Sequence, residues 1–291
     1  MAALDIKTAN FASALKARYD ADGYAVVRGV FTPAEMAELG RAFDRHYAEG
    51  LRHGRSFRHQ NLFYRVTPDA NLGNVVRFVQ WPSYADPDFD RFRLDPRMFS
   101  VAGALLGPDL KQIINQLHWK PPGAAMADFA FHQDCRFRRP PEAYRDLATS
   151  YVQTGIAVDA HRRANGAMRF LPGSHRLGDL GLVESGPVLA QTMQDDSLRK
   201  VGLDPAGLID LELEVGDVTL WSPFLVHGSG PNQTRGDRRL YINGFAAAAS
   251  CDRGEWAFRG GKAVKLSGKP ALVHYDDVHT RPEPHYVDEA Y

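Results

Sequence analysis

The residues in this 291-residue sequence best suited to chemistry form the segment Phe131-His132-Gln133-Asp134. On a β-strand alternate side chains point to the same face, so the imidazole of His132 and the carboxylate of Asp134 would converge. Two imidazoles and one carboxylate on one face are the ligand set that non-haem Fe(II) sites use. The segment therefore predicts two of the three ligands of a metal site, with a distant histidine still required.

The third ligand must come from another part of the chain, and His227 is the preferred candidate among the 11 histidines. It follows a strand-like run and a Trp-Ser-Pro break, where a neighbouring strand would bring it back towards His132. By residue type alone five other histidines stay open, namely His118, His161, His175, His274 and His285.

Arginines follow both the His-x-Asp segment and His227 in the sequence. Arg238 stands eleven residues after His227 on the next predicted strand, where a buried guanidinium can bind a distal carboxylate through two hydrogen bonds. Arg136, Arg138 and Arg139 follow the His-x-Asp segment directly and are candidates for contact with an anionic substrate group such as a carboxylate or phosphate. A solvated loop is the alternative interpretation of these three arginines.

The elements before residue 110 are predicted to be mainly helical. Phe11, Leu15 and Tyr19 recur every four residues and predict a helix that stops at Gly23, before a strand over 24–30. The segment Thr32-Pro33-Ala34-Glu35 is typical of a capped helix start, with a capping box between threonine and glutamate. A further helix is predicted over 96–106.

After residue 110 short β-rich runs alternate with Gly and Pro turns, which predicts an antiparallel sandwich or barrel. Gly216-Asp217 reads as a tight turn between two of them. The segment 176–207 is long, polar and irregular, and both a lid and a surface excursion remain open for it. The predicted strands cover 111–119, 150–158, 167–171, 208–213, 217–221 and 239–245.

Composition excludes several classes of protein. The 35 basic and 35 acidic residues give a formal net charge of zero, which argues against a nucleic-acid partner. Two cysteines cannot build a disulfide framework. No apolar run approaches the ~20 residues of a membrane helix, and the start of the sequence lacks the pattern of a signal peptide, so we expect no membrane association and a cytoplasmic location. The oligomeric state stays open.

The domain organisation expected from these patterns is a single domain over 1–291. A helical N-terminal part, 1–109, would pack on a β-core, 110–250, followed by a C-terminal tail, 251–291. The expected fold class is mainly β with flanking helices.

Several segments together carry a family resemblance over most of the chain. They are DGYAVVRGVFTPAEM at 22–36, HQD at 132–134, NGAMRFLPGSH at 165–175, Gly216-Asp217, HGSGPN at 227–232, and Arg238. In combination these segments resemble the phytanoyl-CoA dioxygenase family of Fe(II)- and 2-oxoglutarate-dependent oxygenases. The resemblance implies a double-stranded β-helix, a jelly-roll and cupin-like core, in agreement with the strand pattern.

The resemblance also implies roles for particular residues. His132, Asp134 and His227 would bind iron, and Arg238 and Ser229 would hold the far carboxylate of 2-oxoglutarate. Gln116, on the strand before the His-x-Asp segment, would add a further contact to this co-substrate. The chain departs from the family at Gly155, where many members carry an aromatic residue, so we do not transfer that contact.

The implied activity is that of a dioxygenase that uses Fe(II), 2-oxoglutarate and O2, with ascorbate as a candidate stimulant. It would hydroxylate a small organic acid, acyl or natural-product substrate and release succinate and CO2. Desaturation and cyclisation use the same ligands and stay open. Two other classes also remain: a non-catalytic metal-binding β-sandwich module, and a cupin-like metal-dependent isomerase or hydrolase, which would need neither O2 nor 2-oxoglutarate.

Overall fold

A computed structural model of the chain describes residues 4–125, 128–182, 194–267 and 285–287. Most of its helices precede residue 110, as predicted, and each longer one begins at a proline or ends at a glycine. The α-helices of the described ranges are α1 (Phe11–Asp22), α2 (Pro33–His53), α3 (Pro87–Arg93), α4 (Pro96–Leu106), α5 (Leu147–Ser150) and α6 (Asp195–Lys200).

The strands are distributed along the whole chain. Those of the described ranges are β1 (Tyr24–Val27), β2 (Phe57–His59), β3 (Leu62–Asp69), β4 (Gly73–Gln80), β5 (Leu110–Lys120), β6 (Phe129–His132), β7 (Tyr151–Ala157), β8 (Met168–Phe170), β9 (Ile209–Asp210), β10 (Val218–Trp221), β11 (His227–Ser229), β12 (Arg238–Ala247), β13 (Glu255–Arg259), β14 (Lys262–Ala263) and β15 (His285–Tyr286).

Two antiparallel sheets form the core. In the larger sheet the strand order is β1-β10-β7-β12-β5-β4-β3-β2-β15, with β13 also paired to β5 and β14 to β13. The smaller sheet has the order β6-β11-β8-β9. Apolar residues from both sheets pack together between them, among them Phe170 of β8 and Trp221 of β10. The predicted class, a β-core with flanking helices, is therefore confirmed.

The helices cover the outer face of the larger sheet. Leu15 of α1, Phe43 of α2 and Val101 of α4 are fully buried in one cluster with Leu117 of β5 and Ile156 of β7. This leaves the inner face of the same strands for contact with the smaller sheet. Because neighbouring residues on a strand point to opposite faces, even-numbered residues near the end of β5 and at the start of β12 face inwards.

The predicted helix boundaries are confirmed. Thr32 accepts a hydrogen bond from the backbone N–H of Glu35, whose carboxylate in turn accepts one from the Thr32 backbone, so the capping box is complete. Helix α1 ends at Gly23, which has a φ of 79° and whose N–H bonds to the carbonyl of Tyr19.

The strand predictions were less complete. The expected strand over 24–30 ends at Val27, since Gly29 takes a φ of 59° in the turn that follows. The run over 208–213 contributes only Ile209–Asp210. Strands β2, β3 and β4 were not predicted, although they lie within 1–109 and extend the larger sheet beyond β5.

The predicted turn at Gly216-Asp217 is confirmed and tightly built. Gly216 has a φ of 86°, and a Cβ added to it would lie 2.0 Å from the carbonyl oxygen of Phe31. The carboxylate of Asp217 is buried and accepts hydrogen bonds from the backbone N–H groups of Gly29 and Glu214. The turn therefore fixes the start of β10 against the chain that leads into α2.

The segment 176–207 lies partly outside the described residues, which resume at 194. In the described parts, the Gln133 side chain donates to the carbonyl of Gly178 and accepts from the N–H of Leu180. Leu198 of α6 is fully buried against Phe131 and Val226. Both ends of the segment thus pack on the smaller sheet beside the His-x-Asp segment.

Two further features concern the C-terminal part and the helices. Strand β13 pairs with β5, β14 pairs with β13, and β15 pairs with β2, so these parts of the tail join the larger sheet. Among the helices of the described ranges, none combines the length and hydropathy that a bilayer span requires.

Candidate metal centre

The three predicted metal ligands meet where two strands of the smaller sheet lie side by side. His132 ends β6 and His227 begins β11, and the two residues are direct partners in the antiparallel register. Gln133 has extended backbone angles, so Asp134 returns to the face of His132 before the chain enters a short 3-10 helix. All three side chains are buried.

The ligand atoms are close enough to share one ion. His132 Nε2 lies 3.7 Å from Asp134 Oδ1, and His227 Nε2 lies 3.8 Å from Asp134 Oδ2. The two imidazole rings have centroids 4.2 Å apart. One ligand atom from each residue lies within 4.8 Å of the other two, a spacing typical of a preformed metal site.

Neighbouring groups set the orientation of each ligand. His132 Nδ1 lies 2.7 Å from the carbonyl oxygen of Ala130, and His227 Nδ1 lies 2.9 Å from that of Leu225. A carbonyl accepts a hydrogen, so both rings carry it on Nδ1 and present an Nε2 lone pair to the centre. Trp221 Nε1–H donates to Asp134 Oδ2 at 2.9 Å, which leaves Oδ1 less restricted.

The electrostatics of the site favour the protonation states that bind metal. Burial, together with His132, lowers the pKa of His227 to about 4, so its imidazole is neutral near pH 7. Burial by itself would raise the pKa of Asp134, but the His227 and His132 rings and Arg138 outweigh it and lower the pKa. The site therefore offers an ionised carboxylate and a neutral His227 imidazole.

This donor set fits a ferrous ion. Two imidazole nitrogens and one carboxylate oxygen form a facial arrangement that leaves other coordination positions open. His132, Asp134 and His227 are the residues that would hold the ion, and within the described ranges they are the only cluster of three or more such ligands.

Arg238 stands at the start of β12, on its inner face, and its side chain is buried. Its Nη2 donates to the carbonyl oxygen of Gly166 at 3.0 Å, while its buried Nε has no hydrogen-bond partner among the described residues. Burial lowers its pKa to about 10, so the guanidinium stays charged at neutral pH. A buried cation with an unused donor is suited to bind an anion.

Two more residues lie near Arg238: Lys120, which was not predicted from the sequence, and His118, which was kept open only as a candidate metal ligand. Lys120 is the direct partner of Arg238 across β5 and β12, and its Nζ donates to the carbonyl oxygens of Ser229 and Gly230. Burial, with Arg238, lowers the pKa of Lys120 well below its usual range. His118 shares this face of β5, and burial with Arg238 lowers its pKa to about 3. The alternation along β5 is the sequence signal that would have placed both beside Gln116.

The two other predicted co-substrate residues lie on strands at the same site. Ser229 is buried on β11, two residues beyond His227. Gln116 lies on β5 between Gln80 of β4 and Ile242 of β12, and it shares the inward-facing alternation of His118 and Lys120.

The structure separates the three arginines that follow the metal segment. Arg138 is buried with 2% of its surface exposed, Arg136 is half-buried, and Arg139 is exposed. Arg138 stacks on the ring of Tyr151, with its guanidinium carbon 5.0 Å from the ring centroid. The sequence could not distinguish them, because the 3-10 helix over Asp134–Phe137 decides which of them turns inwards.

The remaining histidines have other surroundings. His161 is buried, and its Nε2 lies 3.3 Å from the carbonyl oxygen of Arg239. His175 packs against Gly23 at the end of α1, where its Nε2 lies 3.2 Å from the carbonyl oxygen of Asp20. His274 lies outside the described residues, and His285 contributes its backbone to β15.

Comparisons with known proteins agree with this geometry. A family model described as phytanoyl-CoA dioxygenase (PhyH) matches residues 19–240. A probable alpha-ketoglutarate-dependent hypophosphite dioxygenase from Stutzerimonas stutzeri is 33% identical over 179 residues, which cover 60% of this chain and 58% of that protein. A methylphosphonate hydroxylase from Gimesia maris is 28% identical over 188 residues, which cover 58% of this chain and 65% of that protein. The matches therefore span less than two thirds of each relative.

A solved structure shares the fold. The epimerase SnoN, crystallised with Fe3+, alpha ketoglutarate and nogalamycin RO, superposes with a TM-score of 0.59 at 21% identity, covering 92% of this chain and 96% of SnoN. The likeness supports the jelly-roll architecture that the family resemblance implied.

Proposed function

The chain belongs to the phytanoyl-CoA dioxygenase family, and from this premise we propose that it is an Fe(II)- and 2-oxoglutarate-dependent oxygenase that hydroxylates a C–H bond of a small molecule. The family resemblance expected from the sequence is thereby confirmed. The overall reaction consumes one O2 and one 2-oxoglutarate for each substrate hydroxylated and yields succinate and CO2.

The observation that carries the proposal is that a metal site and a buried cation lie on two sheets that face each other. His132, Asp134 and His227 converge on the smaller sheet, while Arg238 is buried on the larger one with an unused donor. A metal-dependent isomerase or hydrolase would need the first site but would leave the buried Arg238 without an anion to bind. A dicarboxylate held between the two sites accounts for both.

The protein residues would divide the work as follows. His132, Asp134 and His227 hold the ion, and Trp221 and the carbonyls of Ala130 and Leu225 keep those ligands in place. When bound, iron with 2-oxoglutarate supplies the chemistry that activates O2.

Three further residues bind the co-substrate in this proposal. Arg238 binds the distal carboxylate of 2-oxoglutarate through its fork of N–H groups, and Ser229 donates its hydroxyl to the same group. Gln116 contributes a further polar contact from β5. The burial of Arg238 excludes water from this pair, which strengthens it.

The substrate is proposed to be a small molecule. The two curated relatives are named for hypophosphite and methylphosphonate, both small phosphorus oxyanions. We therefore place small phosphonates beside short organic acids and acyl compounds in the set of candidate substrates.

The test is succinate formation with Fe(II), ascorbate and 2-oxoglutarate, measured with and without each candidate substrate. We expect substrate-stimulated succinate, a product heavier by one oxygen, and complete loss of both in His132→Ala. His59→Ala, which removes an exposed histidine of β2, is the matched control and should behave as wild type. Succinate that forms only once per protein molecule, or full activity in His132→Ala, would contradict the proposal.

A further inference from the structure

We propose that Arg138 is the residue that receives an anionic group of the substrate, a carboxylate or a phosphonate. That this anion belongs to the substrate rests on the proposed oxygenase function. The binding of an anion by Arg138 rests on the contacts of the side chain itself.

The first argument is that Arg138 is a buried cation with no anionic partner in the described part of the chain. Among the described residues its buried Nε and Nη1 atoms have no hydrogen-bond partner, and no carboxylate forms a salt bridge with it. An unpaired buried charge costs several kcal/mol of stability. A missing anion is the simplest explanation for a site that retains such a charge.

Other buried arginines of this chain show what a structural role looks like. Arg77 is 3% exposed and bonds to the carboxylate of Asp69. Arg93 is fully buried and bonds to the carboxylate of Asp90 and to two backbone carbonyls. Within the described ranges Arg138 has no carboxylate partner and leaves its buried Nε unbonded, as does Arg238, the cation assigned to 2-oxoglutarate.

The second argument is that the Arg138 guanidinium is held in place by an aromatic ring whose own position is fixed. It lies over the ring of Tyr151, whose hydroxyl donates to Gln153 Oε1 at 2.6 Å. Gly244 on the adjacent strand makes room for this pair, because a Cβ there would lie 2.0 Å from the Tyr151 hydroxyl. Stacking on an aromatic ring leaves the edge of the guanidinium free to donate two parallel hydrogen bonds.

The third argument separates this anion from 2-oxoglutarate. Tyr151 lies opposite Ala246 in the register of β7 and β12, eight residues from Arg238 along β12. At ~3.3 Å per residue these backbone positions are roughly 25 Å apart, far more than the length of 2-oxoglutarate. Arg138 therefore packs on the sheet well away from the strand position of Arg238, and its charge contributes to lowering the pKa of Asp134.

Charge counting agrees with a bound anion. Fe(II), Asp134, dianionic 2-oxoglutarate and Arg238 sum to zero, and Arg138 adds one uncompensated positive charge. A substrate with one negative charge restores neutrality in a site that excludes water.

The experiment is anaerobic calorimetric titration of the full chain loaded with Fe(II) and 2-oxoglutarate. The probes are methylphosphonate, phosphite and acetate, with acetamide as the neutral comparison. We expect wild type to bind at least one anion and not acetamide. Arg138→Gln should weaken that binding by about tenfold or more, the usual effect of losing a hydrogen-bonded charge pair. Its affinity for 2-oxoglutarate should persist, whereas Arg238→Gln should lose it.

The controls address position and folding. Arg145→Gln removes an exposed arginine paired with Asp252 and should bind the anion as wild type does. Arg138→Lys keeps the charge without the fork and should give intermediate affinity. Arg138→Met should match or exceed the melting temperature of the ligand-free wild type, because it removes an unpaired buried charge, whereas Arg93→Met should lower it.

The outcomes distinguish the two proposals. Anion affinity that is unchanged in Arg138→Gln, lost in Arg139→Gln instead, or absent from wild type for every probe would overturn the anion site while leaving the oxygenase proposal standing. Arg138-dependent anion binding without any succinate formation would overturn the oxygenase proposal and leave the anion site standing. Loss of 2-oxoglutarate binding in Arg138→Gln would reassign Arg138 to the co-substrate and so overturn the substrate role.

Discussion

At the residue scale, the hydrogen bond from Trp221 to Asp134 connects the larger sheet to the metal centre. The donor is the indole N–H of Trp221, a fully buried side chain, and the acceptor is one oxygen of the Asp134 carboxylate. Hydrogen bonds of this kind orient metal ligands, and their loss typically costs 10- to 100-fold in metal affinity.

We therefore expect Trp221→Phe to weaken the binding of Fe(II), or of Mn(II) as an air-stable substitute, by about 10- to 100-fold in calorimetric titration. Trp119→Phe is a well-matched control, because Trp119 is also buried but its Nε1–H has no hydrogen-bond partner in the described part of the chain. Equal metal affinity in the two variants would show that the hydrogen bond does not support the centre.

A second residue-scale consequence concerns His46, which is buried on α2 away from the metal centre. Its Nδ1 lies 2.8 Å from the hydroxyl of Tyr64, and burial lowers its pKa from 6.5 to about 4. As the pH falls, His46 therefore takes up a proton at a higher pH in the unfolded chain than in the folded chain. Its contribution to stability is complete above pH 6.5 and is lost as the pH falls from 6.5 towards 4.

We expect the free energy of unfolding of wild type to fall by up to ~3 kcal/mol more than that of His46→Gln between pH 6.5 and 4. Urea unfolding of both proteins across this range measures the difference, in which the titration of all other groups cancels. Parallel pH profiles for the two proteins would be inconsistent with a neutral buried His46.

The limits of sequence prediction are also visible at this scale. His132 and Asp134 could be identified because their spacing on a strand is local, and His227 because of its surrounding segment. The partnership of Lys120 with Arg238, the bond from Trp221 to Asp134 and the stacking of Arg138 on Tyr151 depend on strand register and on a 3-10 helix, which residue types do not specify. No local pattern distinguishes buried Arg138 from exposed Arg139.

At the element scale, the turn before β10 determines where Trp221 lies. Gly216 needs its φ of 86°, and the nearby carbonyl of Phe31 leaves no space for a Cβ. Elements with local signals of this kind, such as the Thr32 cap and Gly216-Asp217, were predictable. Strands β2 to β4 were not, because they join the sheet through β4, whose pairing with β5 spans more than thirty residues.

Gly216→Ala should lower the free energy of unfolding by at least ~2 kcal/mol, since a left-handed conformation alone costs an alanine 1–2 kcal/mol and the contact with Phe31 adds to it. Gly236→Ala is the control, because a Cβ there meets nothing within 4 Å. Urea unfolding measures the free energy of unfolding of both variants. Similar values for the two would contradict this account of the turn.

At the scale of the whole molecule, the two proposed ligands join the sheets. The metal ligands belong to the smaller sheet and its following segment, whereas Arg238 and Gln116 belong to the larger one. A metal ion and 2-oxoglutarate bound together would therefore stabilise the packing of one sheet on the other, by an amount that mass action sets.

Mn(II) and 2-oxoglutarate, each at about one hundred times its Kd, should raise the melting temperature by roughly 9 °C, because each ligand contributes ~2.7 kcal/mol of stabilisation. Asp134→Ala should abolish the shift, and Asp252→Ala, which changes an exposed carboxylate, should preserve it. A shift of the same size in Asp134→Ala would place the bound ligands elsewhere.

The position of β12 has a practical consequence for anyone who expresses part of this protein. The family match ends at residue 240, but β12 continues to Ala247 between β5 and β7. A fragment cut at that boundary would lose most of β12, including Gly244, which makes room for Tyr151. Strands β5 and β7 would then have exposed edges, which are prone to aggregation. Useful truncations should therefore be made beyond β14.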